Sequence, residues 1–199
     1  MMPIMREVAG TRAQSKQESL DKILDAAARR IREEGLDGAA IAAVMRDAGL
    51  THGAFYSHFS SKDELAGAAF ARAITTGRSQ WIKPMRGESW RERLSSLAKR
   101  YLTAAHRDDL STSCGFATLS SDAAHASNHF RASYEHELRG SLAAICDGDH
   151  DRLDDAIALM TVCVGGMALA RAVADPKFSG RILRVAREAA AKLADNQPN

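Results

Sequence analysis

The amino-acid sequence predicts an all-α fold of about nine helices. Apolar residues recur at spacings of three and four through most of the 199 residues. Prolines number only four, and runs of alternating β-branched residues are few. With 45% hydrophobic and 26% charged residues, the composition is that of an ordinary globular chain. We expect a mobile tail (residues 1–17), a three-helix head (residues 18–65) and a helical body (residues 66–199).

The first two helices of the head are predicted from the helical spacing of their apolar residues. The face of the first consists of Leu20, Ile23, Leu24, Ala27 and Ile31, before Glu33-Glu34-Gly35. The second carries Ile41, Val44 and Met45, with Asp37 or Gly38 as the expected cap. Gly49 should end this second helix, because a residue without a Cβ adopts the left-handed conformation readily.

A short third helix follows the turn. Thr51 is expected to cap it, and Phe55 and Phe59, spaced i and i+4, should anchor it to the rest of the head. The polar side chains are then left facing outward: Thr51, His52, Tyr56, Ser57 and His58. A helix-turn-helix of this kind presents its second helix to the major groove of DNA.

The body continues the helical pattern. Ser60 or Ser61 should cap a fourth helix that runs toward Trp81, and the stretch from Pro84 to Glu88 separates it from the next. Ser89 should cap the fifth, and a sixth lies around Phe116 and Leu119. The seventh places these residues inward: Phe130, Tyr134, Leu138, Leu142 and Ile145. The last two span about 151–174 and 178–195.

The head resembles the TetR-type family of bacterial transcriptional regulators. The resemblance rests on an ordered set of features between about residues 20 and 70: Ala48-Gly49, Gly53 to Tyr56, His58-Phe59 and Lys62. It implies that Thr51 and His52 face the DNA and that Gly53 and Ala54 allow close approach. It also implies that Tyr56, His58 and Lys62 hold phosphates, the last with the help of a helix dipole.

Four positions depart from the family pattern. Ala39 and Ala40 stand where the family usually has Thr or Ser, so a phosphate contact near Ala40 loses its hydroxyl. Met45 replaces a small residue, and His52 replaces a common lysine, which makes that charge dependent on pH. Charge alone does not indicate DNA binding, because residues 20–65 hold six lysines and arginines against eight acidic residues.

The body supplies candidates for an apolar ligand pocket. They are Trp90, Tyr101, Phe116, Phe130, Tyr134, Met160, Cys163 and Met167, with His106 as a possible orienting group. The same residues would also serve as ordinary core. Cys114 precedes the sixth helix, where the helix dipole could favour its thiolate and make it a redox sensor. A small residue fitted into a loop is the alternative.

The last two helices are predicted to form a homodimer interface. Gly165-Gly166 would let another helix approach closely, and the ninth helix has an apolar stripe of Ile182, Ala186, Ala189 and Leu193. In the alternative, both helices complete the core of their own chain.

Other function classes find little support. The sequence has no phosphate loop, no His-Glu-x-x-His pair and no nucleophile elbow, so we expect neither an enzyme nor a cofactor. His125 and His129, with His136 further on, give only a weak metal-binding pattern. Residues 1–12 lack the apolar core of a secretion signal, and the Ala156–Ala170 run is too short for a membrane span, which predicts a cytoplasmic location.

The resulting prediction is a TetR-like regulator, most simply a repressor that binds a palindromic operator as a homodimer and is released by a small apolar or electrophilic ligand. The alternatives are a helical dimer that uses its head for chromosome organisation or protein contact, and a thiol- or metal-responsive sensor.

Overall fold

The computed structural model describes residues 4–84 and 86–193, which contain ten α-helices and no β-strand. The helices are α1 (Ile4–Glu34), α2 (Ile41–Asp47), α3 (His52–Phe55), α4 (Lys62–Trp81), α5 (Trp90–Tyr101), α6 (Ala104–Asp108), α7 (Gly115–His125), α8 (Asn128–Cys146), α9 (Leu153–Ala172) and α10 (Pro176–Lys192). Two 3₁₀ turns, Gly35–Ala39 and His150–Arg152, precede α2 and α9. The all-α prediction is confirmed, and the short α6 is the helix that it missed.

The first helix is much longer than predicted. It begins at Ile4, so residues 4–17, predicted to be a mobile tail, are helical, while residues 1–3 lie outside the described residues. Side chains four apart support this extension, since Gln14 bonds to Glu18 and Gln17 to Asp21. A helix already anchored by its apolar face extends at little cost, because only its first turn carries the nucleation penalty.

The turn between α2 and α3 has the geometry that its glycine predicts. Gly49 has φ of +69°, and the amide of Leu50 donates to the carbonyl of Met45 while that of Gly49 donates to Arg46. These paired bonds satisfy the last carbonyls of α2 and end the helix. The prediction for Gly49 is therefore confirmed.

The start of α2 differs from the prediction. Ala40 occupies the N-cap position and no side chain caps the helix, so the expectation that Asp37 or Gly38 caps it is wrong. Gly38 instead packs the 3₁₀ turn against α1, where a Cβ would lie 2.5 Å from the carbonyl oxygen of Arg30. The guanidinium of Arg30 donates to the carbonyl of Gly38 at 3.1 Å, which fixes this turn on α1.

Helix α4 joins the head to the body, since it packs on α1 on one side and on α8 on the other. Ser61 caps it by accepting a hydrogen bond from the amide of Glu64, as predicted. Arg72 ties it to α1 through ion pairs with Asp21 at 3.1 Å and Asp25 at 2.8 Å. A movement of α4 would therefore carry the first helix of the head with it.

The body is built around α9, which packs against α5, α7, α8 and α10. By length and composition alone, the segment His150–Ala172 would be long and apolar enough to cross a membrane. A central core helix has the same composition, and residues on several sides of α9 are buried here, among them Ala156, Leu159, Cys163 and Met167.

Local signals place the flanking helices of the body. Ser89 and Glu92 form a reciprocal capping box at the start of α5, which confirms Ser89 as the cap. The fully buried Arg93 of α5 donates to the carbonyls of Ala144 and Ile145 at the end of α8. This arginine, which the sequence pattern did not reveal, satisfies carbonyls that the helix itself leaves without donors.

Candidate functional site

Helix α3 is held by two buried aromatic residues. Phe55 is fully buried and Phe59 nearly so, and their rings stack with centroids 5.7 Å apart. A single turn of helix cannot be stable alone, so this anchoring fixes its orientation. The opposite side exposes Thr51, His52, Tyr56 and Ser57, with Tyr56 65% exposed. The predicted split between anchoring and outward residues is thus present in the structure.

The outward residues are partly preorganised. The ring of His52 packs edge-on against that of Tyr56, with centroids 5.7 Å apart. Thr51 lies at the N-cap position as predicted, yet its side chain accepts no capping hydrogen bond. At Gly53 a Cβ would meet nothing within 4 Å, so the helix surface there is open. An open surface beside the exposed hydroxyl groups of Thr51 and Tyr56 suits close approach to a nucleic acid backbone.

His58 is less exposed than expected. Its Nε2 lies 2.8 Å from the hydroxyl of Ser19 on α1, which leaves only Nδ1 for an outside partner. Burial, together with the nearby charge of Lys16, lowers the pKa of His58, so the ring is neutral at pH 7. The structure thus gives His58 a positioning contact with α1, and it brings Lys16 close to His58, just after α3. This position of Lys16 was not predicted, because residues 1–17 were expected to be a mobile tail.

Lys62 is exposed at the first position of α4, while Ala40 is exposed at the N-cap of α2. Both lie where helix N-termini direct free amides and a partial positive charge outward. The acidic residues of the head are largely engaged elsewhere: Asp47 bonds to Arg30 at 3.1 Å, and this bond lowers the pKa of Asp47. The negative net charge of the head is therefore not concentrated on α3.

A cavity of about 440 Å³ lies in the body between α4, α5, α6 and α7. Its walls are Ala73, Ile74, Gly77, Arg78, Gln80, Trp81, Arg100, Tyr101, Ala105, His106, Asp109, Thr112, Cys114, Phe116 and Ser141. Of the predicted pocket residues, only Tyr101 and Phe116 line it. Trp81, which sequence reasoning took only as the end of a helix, forms a wall with its ring centroid 4.7 Å from that of Tyr101.

Six other predicted pocket residues do not line this cavity. Phe130 and Tyr134 pack around Phe70, with the Tyr134 ring stacked on it at 5.1 Å. The sulfur-containing residues of α9 lie in the core: Met160, Cys163 and Met167. Trp90 donates from its indole nitrogen to Asp155 at 2.7 Å. For these residues, the alternative of packing within the chain describes the structure better.

His106 is fixed by both of its ring nitrogens. The amide of Cys114 donates to Nε2 at 3.1 Å, so the proton must lie on Nδ1, which donates to the carbonyl of Tyr101 at 2.7 Å. Burial lowers the pKa of His106 and keeps the ring neutral. The expectation that a ring nitrogen of His106 orients a ligand is therefore wrong, because both nitrogens are already hydrogen-bonded within the chain. Its role is to hold the α5–α6 corner against the start of α7.

Cys114 occupies the N-cap position of α7 and faces the cavity. Burial raises the pKa of its thiol in spite of the helix N-terminus. The prediction that the dipole favours a thiolate at Cys114 is thus wrong. Burial also raises the pKa of Cys146, and that of Cys163 to about 12. All three thiols are protonated at neutral pH.

Within residues 4–84 and 86–193, no group of three or more His, Cys, Asp or Glu side chains has the arrangement of a metal site. His129 instead packs over Gly67, with its Nε2 3.3 Å from where a Cβ would lie.

Comparison with known proteins agrees with this geometry. The family model of bacterial regulatory proteins of the tetR family matches residues 23–69, which cover α1 from its first buried residue, the helix-turn-helix and the start of α4. Residues 23–69 therefore match the DNA-binding part that this family shares. No curated protein matches the sequence of the whole chain.

Solved structures extend the likeness from the TetR-type head to the body. The reduced form of NemR from Escherichia coli is 17% identical, with a TM-score of 0.72 over 86% of this chain and 94% of that one. A TetR transcriptional regulator from Chloroflexus aurantiacus is 20% identical, with a TM-score of 0.70 over 92% and 98%. A transcriptional regulator from Rhodococcus is 23% identical, with a TM-score of 0.61 over 89% and 98%. At these identities, the likeness establishes a shared fold.

Proposed function

We propose that the chain is a transcriptional regulator that binds a palindromic operator as a homodimer and is released from it by a small molecule in the body cavity. The observation that carries this proposal is the surface of α3, whose polar side chains face outward while Phe55 and Phe59 hold the helix in place. Repression and a cytoplasmic location are parts of the same proposal, supported by the TetR-type head. The known relatives are regulators, a role that is not enzymatic.

On DNA, Thr51 and His52 would reach base edges in the major groove, while Tyr56 and Lys62 would bind phosphates. Ala40, Gly53, Ala54 and Ser57 would lie along the backbone. Base contacts carry sequence information and phosphate contacts do not, so the two groups should respond differently to substitution.

The decisive experiment is a mobility shift on the intergenic DNA flanking the gene, against unrelated DNA at moderate salt. Thr51→Ala should change sequence preference, whereas Tyr56→Phe and Lys62→Ala should weaken binding to all sequences alike. Lys99→Ala, which removes an exposed charge from α5, is the matched control. Equal, salt-sensitive retention of both DNAs would favour the chromosome-organising alternative, and unchanged affinity of Tyr56→Phe and Lys62→Ala would refute the placement of α3.

Exposed apolar residues support the proposed homodimer. In the described part of the chain, seven large hydrophobic residues are exposed, and five of them lie on α9 and α10: Leu153, Ile157, Leu169, Phe178 and Val185. A monomer that left this surface in water would expose an unusually concentrated apolar area. Two such helix pairs packed together form a four-helix interface. The two half-site centres would then lie about one helical turn apart or more, ~34 Å.

The dimer is tested by light scattering at micromolar concentration. Val185→Glu on α10 should convert the dimer to a monomer, because burying an unpaired carboxylate in an apolar interface costs several kcal/mol, ~3 or more. Leu110→Glu places the same charge at an exposed apolar residue outside α9 and α10 and should leave the dimer intact. A wild-type chain that remains monomeric would rule out this part of the proposal.

Release from DNA requires a connection between the cavity and the head, and the segment 109–127 provides one. At its start, Asp109, Thr112, Cys114 and Phe116 line the cavity. The same segment bonds to the head at three places. The carbonyl of Ser111 accepts from Arg32 at 2.6 Å, Asp122 accepts from the amide of Leu36 at 2.9 Å, and Ser127 donates to Asp63 at 2.7 Å.

A ligand that displaces this segment would move the head with it, because the segment is hydrogen-bonded to Arg32, Leu36 and Asp63 of the head. Such a ligand shifts the balance only if it binds the DNA-released arrangement more tightly than the DNA-bound one. The segment 109–127 is therefore the proposed route of coupling.

A further inference from the structure

The cavity has walls suited to a flat apolar molecule. The rings of Trp81 and Tyr101 form one side and Phe116 another, with Ile74 and Ala73 between them. At about 440 Å³, the cavity lies toward the lower end of the ~300–1,000 Å³ typical of ligand sites. A compact ligand with aromatic rings would fill it and bury most of its surface.

Around this apolar space, two arginines have no carboxylate partner among the residues that the structure describes. Arg171 lies behind His106, which lines the cavity, and donates to the carbonyls of His106 and Arg107 and to the hydroxyl of Ser113. Its Nη1 is buried without a hydrogen-bond partner among the described residues. A cation bonded only to neutral groups keeps its full charge, which acts across the neighbouring low-dielectric space.

Arg100 supplies the second positive charge. It lines the cavity from the exposed end of α5, and within residues 4–84 and 86–193 no hydrogen bond or ion pair engages its guanidinium. It also borders a surface groove, so its side chain lies where the cavity opens to solvent. This groove is lined further by Arg91, Glu92, Ser95, Ser96 and Lys99, and the carboxylate of Glu92 accepts hydrogen bonds from the amide and hydroxyl of Ser89. An anionic group at this opening would meet a planar donor with free N–H groups.

The acidic residues near the cavity are already engaged. Glu137 pairs with Arg78. Asp109 accepts hydrogen bonds from the hydroxyls of Ser111 and Thr112 within its own loop, and these bonds lower the pKa of Asp109 to about 2. Its two oxygens are thus directed to the loop. Of the charged groups at the cavity in the described part of the chain, those without a carboxylate partner, Arg100 and Arg171, are both positive.

We infer that the cavity selects an aromatic anion, with its rings between Trp81, Tyr101 and Phe116 and its carboxylate, sulfonate or comparable acidic group at Arg100. This inference rests on the proposed function, because it names the chemical class of the effector that the cavity would bind. The buried charge of Arg171 raises the affinity for any such anion, and Arg100 fixes its direction. A cationic aromatic molecule of the same shape is disfavoured by both arginines.

A matched pair of fluorescent probes tests this inference without DNA. 1-Anilinonaphthalene-8-sulfonate and N-phenyl-1-naphthylamine share the same rings and differ by the sulfonate. The sulfonate should bind at one site per chain and about tenfold more tightly than the neutral amine, a difference in binding free energy of ~1.4 kcal/mol. Raising the salt concentration should weaken binding of the sulfonate and leave binding of the neutral amine unchanged.

Two variants assign the site. Arg100→Gln should weaken sulfonate binding about three- to tenfold, as expected for one charged hydrogen bond at a solvent-exposed opening, and should not affect the amine. Lys99→Gln, the adjacent exposed charge outside the cavity, should have no effect. Gly77→Leu should abolish binding of both probes, because a Cβ at Gly77 meets nothing within 4 Å and the larger side chain occupies the cavity. Circular dichroism checks that each variant is folded.

The failure of this inference differs from failure of the proposed function. Equal affinity for both probes, or no effect of Arg100→Gln, would overturn the anion preference while DNA binding in the mobility shift remained. Sulfonate binding that survives Gly77→Leu would place the probe outside the cavity and would also overturn it. Loss of DNA binding with the probe selectivity intact would overturn the regulator instead.

Discussion

Gly165 and Gly166 are neighbours in α9 whose replacement by alanine should have opposite effects on stability. Gly166 is buried against α10, and a Cβ there would lie 2.8 Å from the Cβ of Ala186 and 3.4 Å from a methyl group of Leu102. Gly165 points away from the chain's own core, and a Cβ there would meet nothing within 4 Å. The sequence pattern predicted one shared role for the pair, whereas the structure assigns Gly166 to packing within the chain.

The magnitude follows from these distances. Carbon atoms pack best at roughly 3.5–4.0 Å, so Gly166→Ala forces α9 and α10 apart by about 1 Å or strains both. Overpacking of this kind costs about 1–3 kcal/mol. Both substitutions gain the same helix propensity, roughly 1 kcal/mol. That gain cancels in the comparison, so Gly165→Ala should be more stable than Gly166→Ala by about 1–3 kcal/mol.

Unfolding in urea, followed by circular dichroism at several protein concentrations, measures this difference. The concentration series is needed because dimerisation adds to apparent stability. In thermal unfolding, the same difference corresponds to roughly 2–4 °C per kcal/mol for a chain of this size. Equal stability of the two variants, or a more stable Gly166→Ala, would refute the packing of α9 on α10. A weaker dimer in Gly165→Ala alone would indicate that the outward face meets the partner chain.

Three further outcomes are expected. Arg93→Met should lower the free energy of unfolding by about 3 kcal/mol, because buried carbonyls at the end of α8 lose their donors. Arg91→Met, at an exposed residue of the same helix, should lower it far less. Urea unfolding measures both variants. Burial lowers the pKa of His106, so the unfolded chain, with a histidine pKa near ~6.5, takes up the proton first. Stability should therefore fall as the pH drops below about 6.5. In melting temperatures measured from pH 7.5 to 5, His106→Gln should make this fall less steep. The same dependence of melting temperature on pH in both proteins would contradict the role given to His106. Asp122→Ala should leave the affinity for the naphthalene sulfonate unchanged within about threefold. It should reduce the factor by which that probe weakens DNA binding, since coupling free energies between sites are typically ~1–3 kcal/mol. Asp122→Asn, which keeps an acceptor for the amide of Leu36, is the control.

The sequence alone determined the elements whose causes lie within a few consecutive residues. The left-handed Gly49 ends α2, Ser61 and Ser89 cap α4 and α5, and Phe55 and Phe59 anchor α3. Each of these signals acts through backbone geometry or through side chains one turn apart, so it is readable before any tertiary contact is known. The ordered motif in the head, and with it the TetR-type resemblance, was available for the same reason.

Only the tertiary structure decided where the cavity lies. Apolar residues at helical spacing line cavities and fill cores alike, so periodicity could not separate Tyr101 and Phe116, which line the cavity, from Phe130 and Tyr134, which pack on Phe70. The cavity forms because Trp81 on α4 meets a corner of the chain about twenty to thirty-five residues further on. The same packing used both nitrogens of His106 and raised the pKa of the Cys114 thiol. Burial and partner choice depend on which distant helices meet, and no short stretch of sequence contains that information.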